Sequence, residues 1–424
     1  MSTPNGAKAY VAVTASYWAF MLTDGALRML VLLHFHTLGF SPIQLAWLFV
    51  LYEIAGIITN LSAGWIAARF GLTSTLYAGL SFQIIALIAL AQLDPSWSAG
   101  FSVAYVVAVQ GLSGVAKDLS KMSSKSAVKL LAPEADGGLF RWVAYLTGSK
   151  NAVKGLGFLL GASLLGLIGF TASVWFMAAV LGVILLAVLL FMPSGLPRGR
   201  KSAKFSEVFS RNPNVNWLSG ARLFLFGARD VWFVVGIPIY FYAVLSDGTE
   251  DGNRATFFLI GSFMALWIIL YGGVQAFAPK LLRARTRPPE ELVPEARVWA
   301  TRLFFVPLVL AIAAYLSPTP APWLTMLLVI GLLVFGAIFA VNSSLHSYLI
   351  LAFTKSDRVS LDIGFYYMAN AAGRLTGTIL SGLSYQFGGL ALCLGTAAAM
   401  VGLSAIMAGR LRPEPSENGI EEFT

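Results

Sequence analysis

Residues 110–158 read QGLSGVAKDLSKMSSKSAVKLLAPEADGGLFRWVAYLTGSKNAVKGLGF. In the first half Lys117, Lys121, Lys125 and Lys129 recur at every fourth position. At about 100° per residue, that spacing stacks the ammonium groups along one slowly drifting face of a helix. Ser120, Ser123, Ser124 and Ser126 lie among them, with Asp118 as the one acid. The second half re-enters an apolar helix that brings Lys150 and Lys154 with it, again one turn apart. Like charges at i,i+4 cost an isolated helix roughly a few tenths of a kcal/mol per pair. A chain that keeps such pairs beside apolar spans is expected to use them to hold an anion.

The rest of the chain supplies those spans. Of 424 residues, 57% are hydrophobic and only 12% charged, against about a quarter charged in an average soluble domain. Most of the chain is therefore expected in lipid, as an all-α polytopic bundle, because helices satisfy their own backbone hydrogen bonds. A crossing needs about 20 apolar residues. Twelve stretches qualify: 10–33, 42–67, 73–92, 97–121, 141–165, 171–192, 216–245, 254–281, 298–316, 322–351, 361–385 and 389–409. The polar stretch 193–217, rich in Pro, Gly and alternating charge, divides them six and six. The expected organisation is an N-terminal six-helix bundle over 1–192, a cytoplasmic linker over 193–215, and a C-terminal bundle over 216–424 ending in a short cytoplasmic tail.

Orientation follows from lysine and arginine placement. With the N-terminus inside, inward segments hold Lys8, Arg69, Lys125, Lys129, the basic linker, Arg283 to Arg287, Lys355 and Arg410, while the outward loops carry acids and Arg254. That asymmetry predicts a multi-pass protein with both termini cytoplasmic. The opening MSTPNGAKAY leads directly into a full-length span, so no cleavable signal peptide is expected. The net charge of +9 sits between spans, where membrane orientation explains it better than nucleic acid. Cys393 is the one cysteine and there are three histidines, too few for a disulfide framework or a metal cluster; no cofactor or metal is expected. A membrane enzyme would need His, Asp or Cys gathered at one face, and the sequence displays no such group.

The halves echo each other. Asn151-Ala-Val-Lys154-Gly in the fifth span parallels Asn370-Ala-Ala-Gly-Arg374 in the eleventh, and Asp24 in the first span has a counterpart in Asp230 of the seventh. A six-plus-six duplication favours a midplane site. This pattern resembles the major facilitator superfamily. Gly64-Trp-Ile-Ala-Ala-Arg69-Phe-Gly71 falls where that family carries its gate motif; Gly64, Ala67, Arg69 and Gly71 match, whereas Ala68 replaces the acid and Leu72 the following base. The inner charge latch is thus incomplete. At finer grain, 23–42, 116–134 and 139–158 resemble the ArsJ-type organoarsenical efflux permeases. That resemblance implies a carrier of the bacterial inner membrane, a monomer, exporting 1-arseno-3-phosphoglycerate. It also implies functional coupling to glyceraldehyde-3-phosphate dehydrogenase, which makes that ester when arsenate replaces phosphate. The residues alone reach only an anion carrier, and an organophosphate/phosphate exchanger of the same superfamily stands as the alternative.

Charge inside a membrane is costly and points to function. Asp24 and Arg28 lie at i,i+4: either they neutralise each other, or Asp24 holds Arg28 toward a cavity. Arg229 occupies the related place in the other half, and Arg28 with Arg229 would clamp a dianion, as a guanidinium fork suits phosphate. A resemblance to organophosphate carriers, which pair arginines on these two helices, implies the same. Asp230, adjacent to Arg229, is expected on another face. Arg222 is read either as a site residue or as a snorkelling anchor. Lys154, and Arg374 with Asn370 one turn before it, are candidate anion ligands; Lys150 either joins them or reaches headgroups. Lys117 and Lys121 are expected to form an electrostatic funnel, and Lys125 and Lys129 to meet anionic headgroups. Glu53 is read as a proton-coupling acid, with Asp24 and Asp230, or as the partner of an arginine. Gly155, Gly157 and Gly161 form a small-residue packing stripe. His34 and His36 are expected at the interface and His346 beside Asn342. Tyr17, Trp18, Tyr366 and Tyr367 face either the cavity or lipid, and Trp232 with Phe233 is expected to be packing.

Overall fold

The computed structural model describes residues 4–131, 138–191, 210–284, 287–317, 321–354 and 359–413. Within its helices, the side chains at 4–11, 63–64, 67–68, 72, 125–131, 138–149 and 359–361 lie outside that description. Most of the expected linker and the end of the tail also fall outside it. Among the described residues every regular element is helical. The elements are α1 (Pro4–Thr37), α2 (Pro42–Trp47), α3 (Val50–Leu90), α4 (Ala99–Leu131), α5 (Gly138–Phe191) and α6 (Pro213–Val231). After a π-helical turn (Trp232–Gly236) come α7 (Ile237–Leu245), α8 (Glu250–Leu281), α9 (Pro289–Leu316), α10 (Pro322–Phe353) and α11 (Val359–Ala408).

Among the described residues ten segments are long and apolar enough to cross a bilayer, where twelve crossings are expected. The difference lies in two double-length runs. Lys150–Phe191 and Asp362–Ala408 span 42 and 47 residues, about twice the length one crossing needs. Each is broken by glycine: Gly169 at φ 75° in the first, and Gly388 with Gly389, the latter at φ 57°, in the second. Gly71 (φ 74°, ψ 178°) interrupts α3 in the same way. A Cβ at these left-handed positions would crowd the backbone, so glycine lets one continuous apolar sequence break into two helices without a polar loop. The hydroxyls of Thr75 and Ser173 donate to the carbonyls of Gly71 and Gly169, giving those freed acceptors a partner.

Other boundaries have local causes. Ser41 caps α2 and Gln44 reaches back to the Ser41 N–H, a complete capping box. α6 opens at Pro213, ahead of the expected 216, because Asn212 accepts from Asn214 N at 2.8 Å and Pro213 fits the first helical turn. The π-turn precedes Pro238, which lacks an N–H. Two of its backbone N–H groups, at Val235 and Gly236, donate to Ser381 Oγ at 3.2 and 3.3 Å, and the Cys393 thiol donates to Val231 O at 3.0 Å.

The chain divides into two compact units. The first comprises Met1–Phe205 with Pro238–Ile269, the second Ser206–Ile237 with Leu270–Thr424. Contacts therefore place 238–269 with the first unit, and the break falls where the π-turn ends. Within the first unit α3 pairs along α4 and α1 along α5; within the second α6 pairs along α11, with α9 against α10 and α11.

Candidate functional site

In the first unit the site begins with glycine. A Cβ on Gly157 would lie 2.5 Å from Leu22 O, and one on Gly161 2.1 Å from Ala26 O. Only a hydrogen fits, so α1 and α5 approach backbone to backbone, and the glycine stripe is close packing as expected. That approach carries Lys154 of α5 to Asp24 of α1, Nζ to Oδ2 3.8 Å. Tyr52 of α3 donates its hydroxyl to Asp24 Oδ1 at 2.7 Å.

With Asp24 so occupied, Arg28 turns to α3. Its Nη1 lies 3.2 Å from Glu53 Oε1, and the Glu53 side chain is 0% exposed. The Asp24–Arg28 pair that sequence spacing suggests is not made. The rings of Phe49 and Tyr52, 5.1 and 5.8 Å from the guanidinium carbon, hold it on the α3 side. Asp118 of α4 accepts from Thr59 Oγ1 at 2.6 Å and lies 3.7 Å from both Lys117 and Lys121. Lys121 also donates to Asn60 Oδ1 at 2.8 Å, and Lys117 stands 4.1 Å over the Tyr52 ring. Lys150 is half-buried, and the Lys125 and Lys129 side chains lie outside the described residues. Arg28, Lys117, Lys121 and Lys154 thus meet Asp24, Glu53 and Asp118: four cations against three carboxylates.

The second unit repeats the construction. Cβ atoms on Gly373 and Gly377 of α11 would fall 2.0 and 2.4 Å from Leu223 O and Gly227 O of α6. The approach sets Arg374 Nε 3.6 Å from Asp230 Oδ2. In both units a cation three residues before a contact glycine meets an acid on the facing helix, Lys154 with Asp24 and Arg374 with Asp230. The sequence echo corresponds to this shared geometry. Arg229 also binds Asp230, Nε to Oδ1 2.6 Å, correcting the expectation that neighbours could not meet. The long arginine stem spans the arc between adjacent helix positions.

Arg222 is no snorkelling anchor. It is buried, and its guanidinium donates to Ser343 O at 2.8 Å, Ser343 Oγ at 3.0 Å and Asn370 Oδ1 at 3.3 Å. Phe226 and Tyr366 flank it at 4.1 and 5.1 Å. Every one of these acceptors is neutral. Asn342 and His346 are fully buried nearby in sequence, yet the bond expected between them is not formed.

Elsewhere the aromatic expectations resolve simply. Tyr17 and Tyr366 are buried, which removes the lipid-facing reading for both. Trp232 packs against Phe233 and Phe335. His34 stacks on Phe170 and His36 meets the Tyr242 edge. In the gate segment Gly71 makes the kink between the second and third spans, and exposed Arg69 lies 5.7 Å over Trp65; the side-chain environment at 64 lies outside the described residues. Tyr52 and Asp118 are the contributors that sequence reading passed over. Tyr52 looks like one more apolar-span aromatic until the packing of α3 sets it against Asp24 and Lys117, and Asp118 looks like an isolated acid although Lys117 and Lys121 of its own helix reach it.

Two helical units with buried ionic centres and long, apolar, glycine-broken helices have the build of a polytopic membrane protein. The sequence profile of the Major Facilitator Superfamily matches residues 11–350, and the chain belongs to that family. Among solved structures it resembles an aspartate-to-alanine mutant of the nucleoside transporter NupG, at 18% identity and TM-score 0.66, over 95% of this chain and 98% of that one. It also resembles a POT family transporter in complex with 5-aminolevulinic acid, at 14% identity and TM-score 0.70, over 95% and 96% of the two chains. No curated protein matches its sequence.

Proposed function

We propose that this transporter exports a phosphorylated organic anion, 1-arseno-3-phosphoglycerate, by alternating access, and so confers arsenate resistance. The observation that carries the anion class is Arg222: a buried guanidinium whose acceptors are all neutral. An arginine is always charged, and a buried charge without a counter-ion is expensive. A substrate oxyanion supplies the missing charge, bidentately, where Ser343 and Asn370 now act as substitutes. Arg229 and Arg374 both lie against Asp230, which gathers basic side chains at one place in the second unit.

In this reading Arg28, Arg222, Arg229, Arg374 and Lys154 bind the anion, assisted by Asn370, while Lys117, Lys121 and Lys150 attract it. Asp24, Glu53 and Asp230 hold the cations when substrate is absent and accept protons to reset the cycle. Residues 1–192 and 216–424 act as the two rocking halves, joined by 193–215. Gly64, Arg69 and Gly71 form the gate turn. The protein works as a monomer in a bacterial inner membrane, termini cytoplasmic, beside the glyceraldehyde-3-phosphate dehydrogenase that makes its substrate.

The arsenical identity rests on resemblance and is tested in cells. Arsenate resistance should require both this protein and the dehydrogenase; resistance independent of the enzyme rejects the arsenoester. In everted vesicles, uptake needing a pH gradient supports export, whereas counterflow against inorganic phosphate makes the protein an exchanger.

A further inference from the structure

A second anionic ligand has a place in the second unit, apart from the ionic centres. α9 and the end of α11 enclose a groove of about 570 Å³, walled by Val293, Val298, Leu411 and Pro413 and carrying Arg297 and Arg302. Exposed side chains mark one face of α9: Val298, Phe305, Val309 and Ile312 are all large, apolar and open. Arg302 falls on that stripe, four residues after Val298 and three before Phe305, and is itself exposed. In a span beginning near 298, it stands about one turn inside the apolar run.

An arginine on a lipid-facing stripe has to recover its hydration from something. Helical side chains tilt toward the helix N-terminus, which directs Arg302 toward the α9 start, where Arg297 lies. Trp299 supports its guanidinium at 4.9 Å. Neighbouring acids do not serve: Glu291 and Glu295 are engaged by Arg287 at 3.2 and 3.3 Å. Among the described residues neither Arg297 nor Arg302 has an acidic partner, and Arg410 and Arg412 at the end of α11 add positive charge. Gly409 gives the Arg297 stem room, since a Cβ there would lie 3.2 Å from Arg297 Cδ.

We infer that this groove is a binding site for an anionic phospholipid, the phosphate held between Arg297 and Arg302 and the first acyl carbons lying on the apolar walls. Amphipathic walls with guanidiniums at one end match a lipid better than a soluble anion, which would leave the apolar area wet. The inference is independent of the transported substrate.

Native mass spectrometry of the purified full chain tests it, with phosphatidylglycerol and phosphatidylcholine of identical acyl chains. Each basic side chain near a membrane surface favours an anionic lipid about fivefold, so about a thirtyfold preference for one phosphatidylglycerol is expected. Arg297→Gln with Arg302→Gln should remove the preference, and Arg302→Lys should keep most of it, with transport activity unchanged in both. Equal retention of the two lipids, or a preference surviving in the double glutamine variant, overturns the proposal. So does displacement of phosphatidylglycerol by equimolar glycerol phosphate, which would indicate a soluble ligand. A preference emerging only after truncation behind Pro413 would assign the groove instead to the acidic stretch 414–424.

Discussion

Lys154 is where transport and stability can be separated. Its Nζ lies 3.8 Å from Asp24 Oδ2, with the Asp24 side chain 2% and the Lys154 side chain 19% exposed. At an effective dielectric of about 20, that separation corresponds to about 4 kcal/mol of attraction, opposed by desolvation of both groups. Lys154→Met would leave the buried Asp24 carboxylate beside the Tyr52 hydroxyl, which donates to its Oδ1 at 2.7 Å. Losing one member of a buried pair costs about 3–5 kcal/mol, so the purified variant should melt several degrees lower. Asp24→Asn is milder, about 1–3 kcal/mol, because a part-exposed lysine can turn toward water. Asp24→Asn with Lys154→Met removes both charges and should regain most of the lost stability, a coupling of several kcal/mol in the double-mutant cycle. Transport should behave differently. If Lys154 binds the anion, flux in everted vesicles is lost in Lys154→Met and stays lost in the stable double variant. Wild-type flux in that double variant would make the pair purely structural and refute Lys154 as a ligand.

Four further outcomes follow from the same geometry. Arg222→Lys replaces a fork bonded to Ser343 and Asn370 with a point charge; half-saturating substrate concentration should rise by about tenfold or more in vesicle flux assays. Tyr52→Phe keeps the ring under Lys117 but deletes the 2.7 Å bond to Asp24, and should lower stability by about 1–2 kcal/mol in thermal melting. Gly161→Val sets a Cβ 2.1 Å from Ala26 O and should sharply reduce membrane abundance on quantitative blotting. Gly182→Ala, with nothing within 4 Å, should hold abundance or raise stability by about 0.5–1 kcal/mol.

The fold was legible because hydropathy repeats and chain breaks are local properties. Apolar runs of crossing length, glycines at their ends and a polar midpoint can each be read without knowing any contact. Gly71, Gly169 and Gly389 show the limit of that reading: their positions are visible, but the left-handed backbone that breaks the helix at each is not. The candidate cations were legible for a related reason. A charge inside an apolar run stands out wherever it points. Their partners were not. Asp24 sits one turn from Arg28 yet binds Tyr52 and Lys154, and Arg28 takes Glu53. Asp230, adjacent to Arg229, serves both Arg229 and Arg374.

The amino-acid order alone therefore determined that this chain is built of many helices long and apolar enough to cross a membrane, with basic groups kept inside apolar runs. Only the packed helices decided which carboxylate meets which base, and that the acceptors of Arg222 are neutral. The cause is rotational. A helix fixes the angle between its own side chains, but its rotation about its axis is set by the neighbours against which glycine lets it lie. At Gly157 and Gly377 that backbone contact turns Lys154 and Arg374 inward to their acids. Arg222 is turned into the interior of the second unit, where its acceptors are Ser343 and Asn370, both neutral.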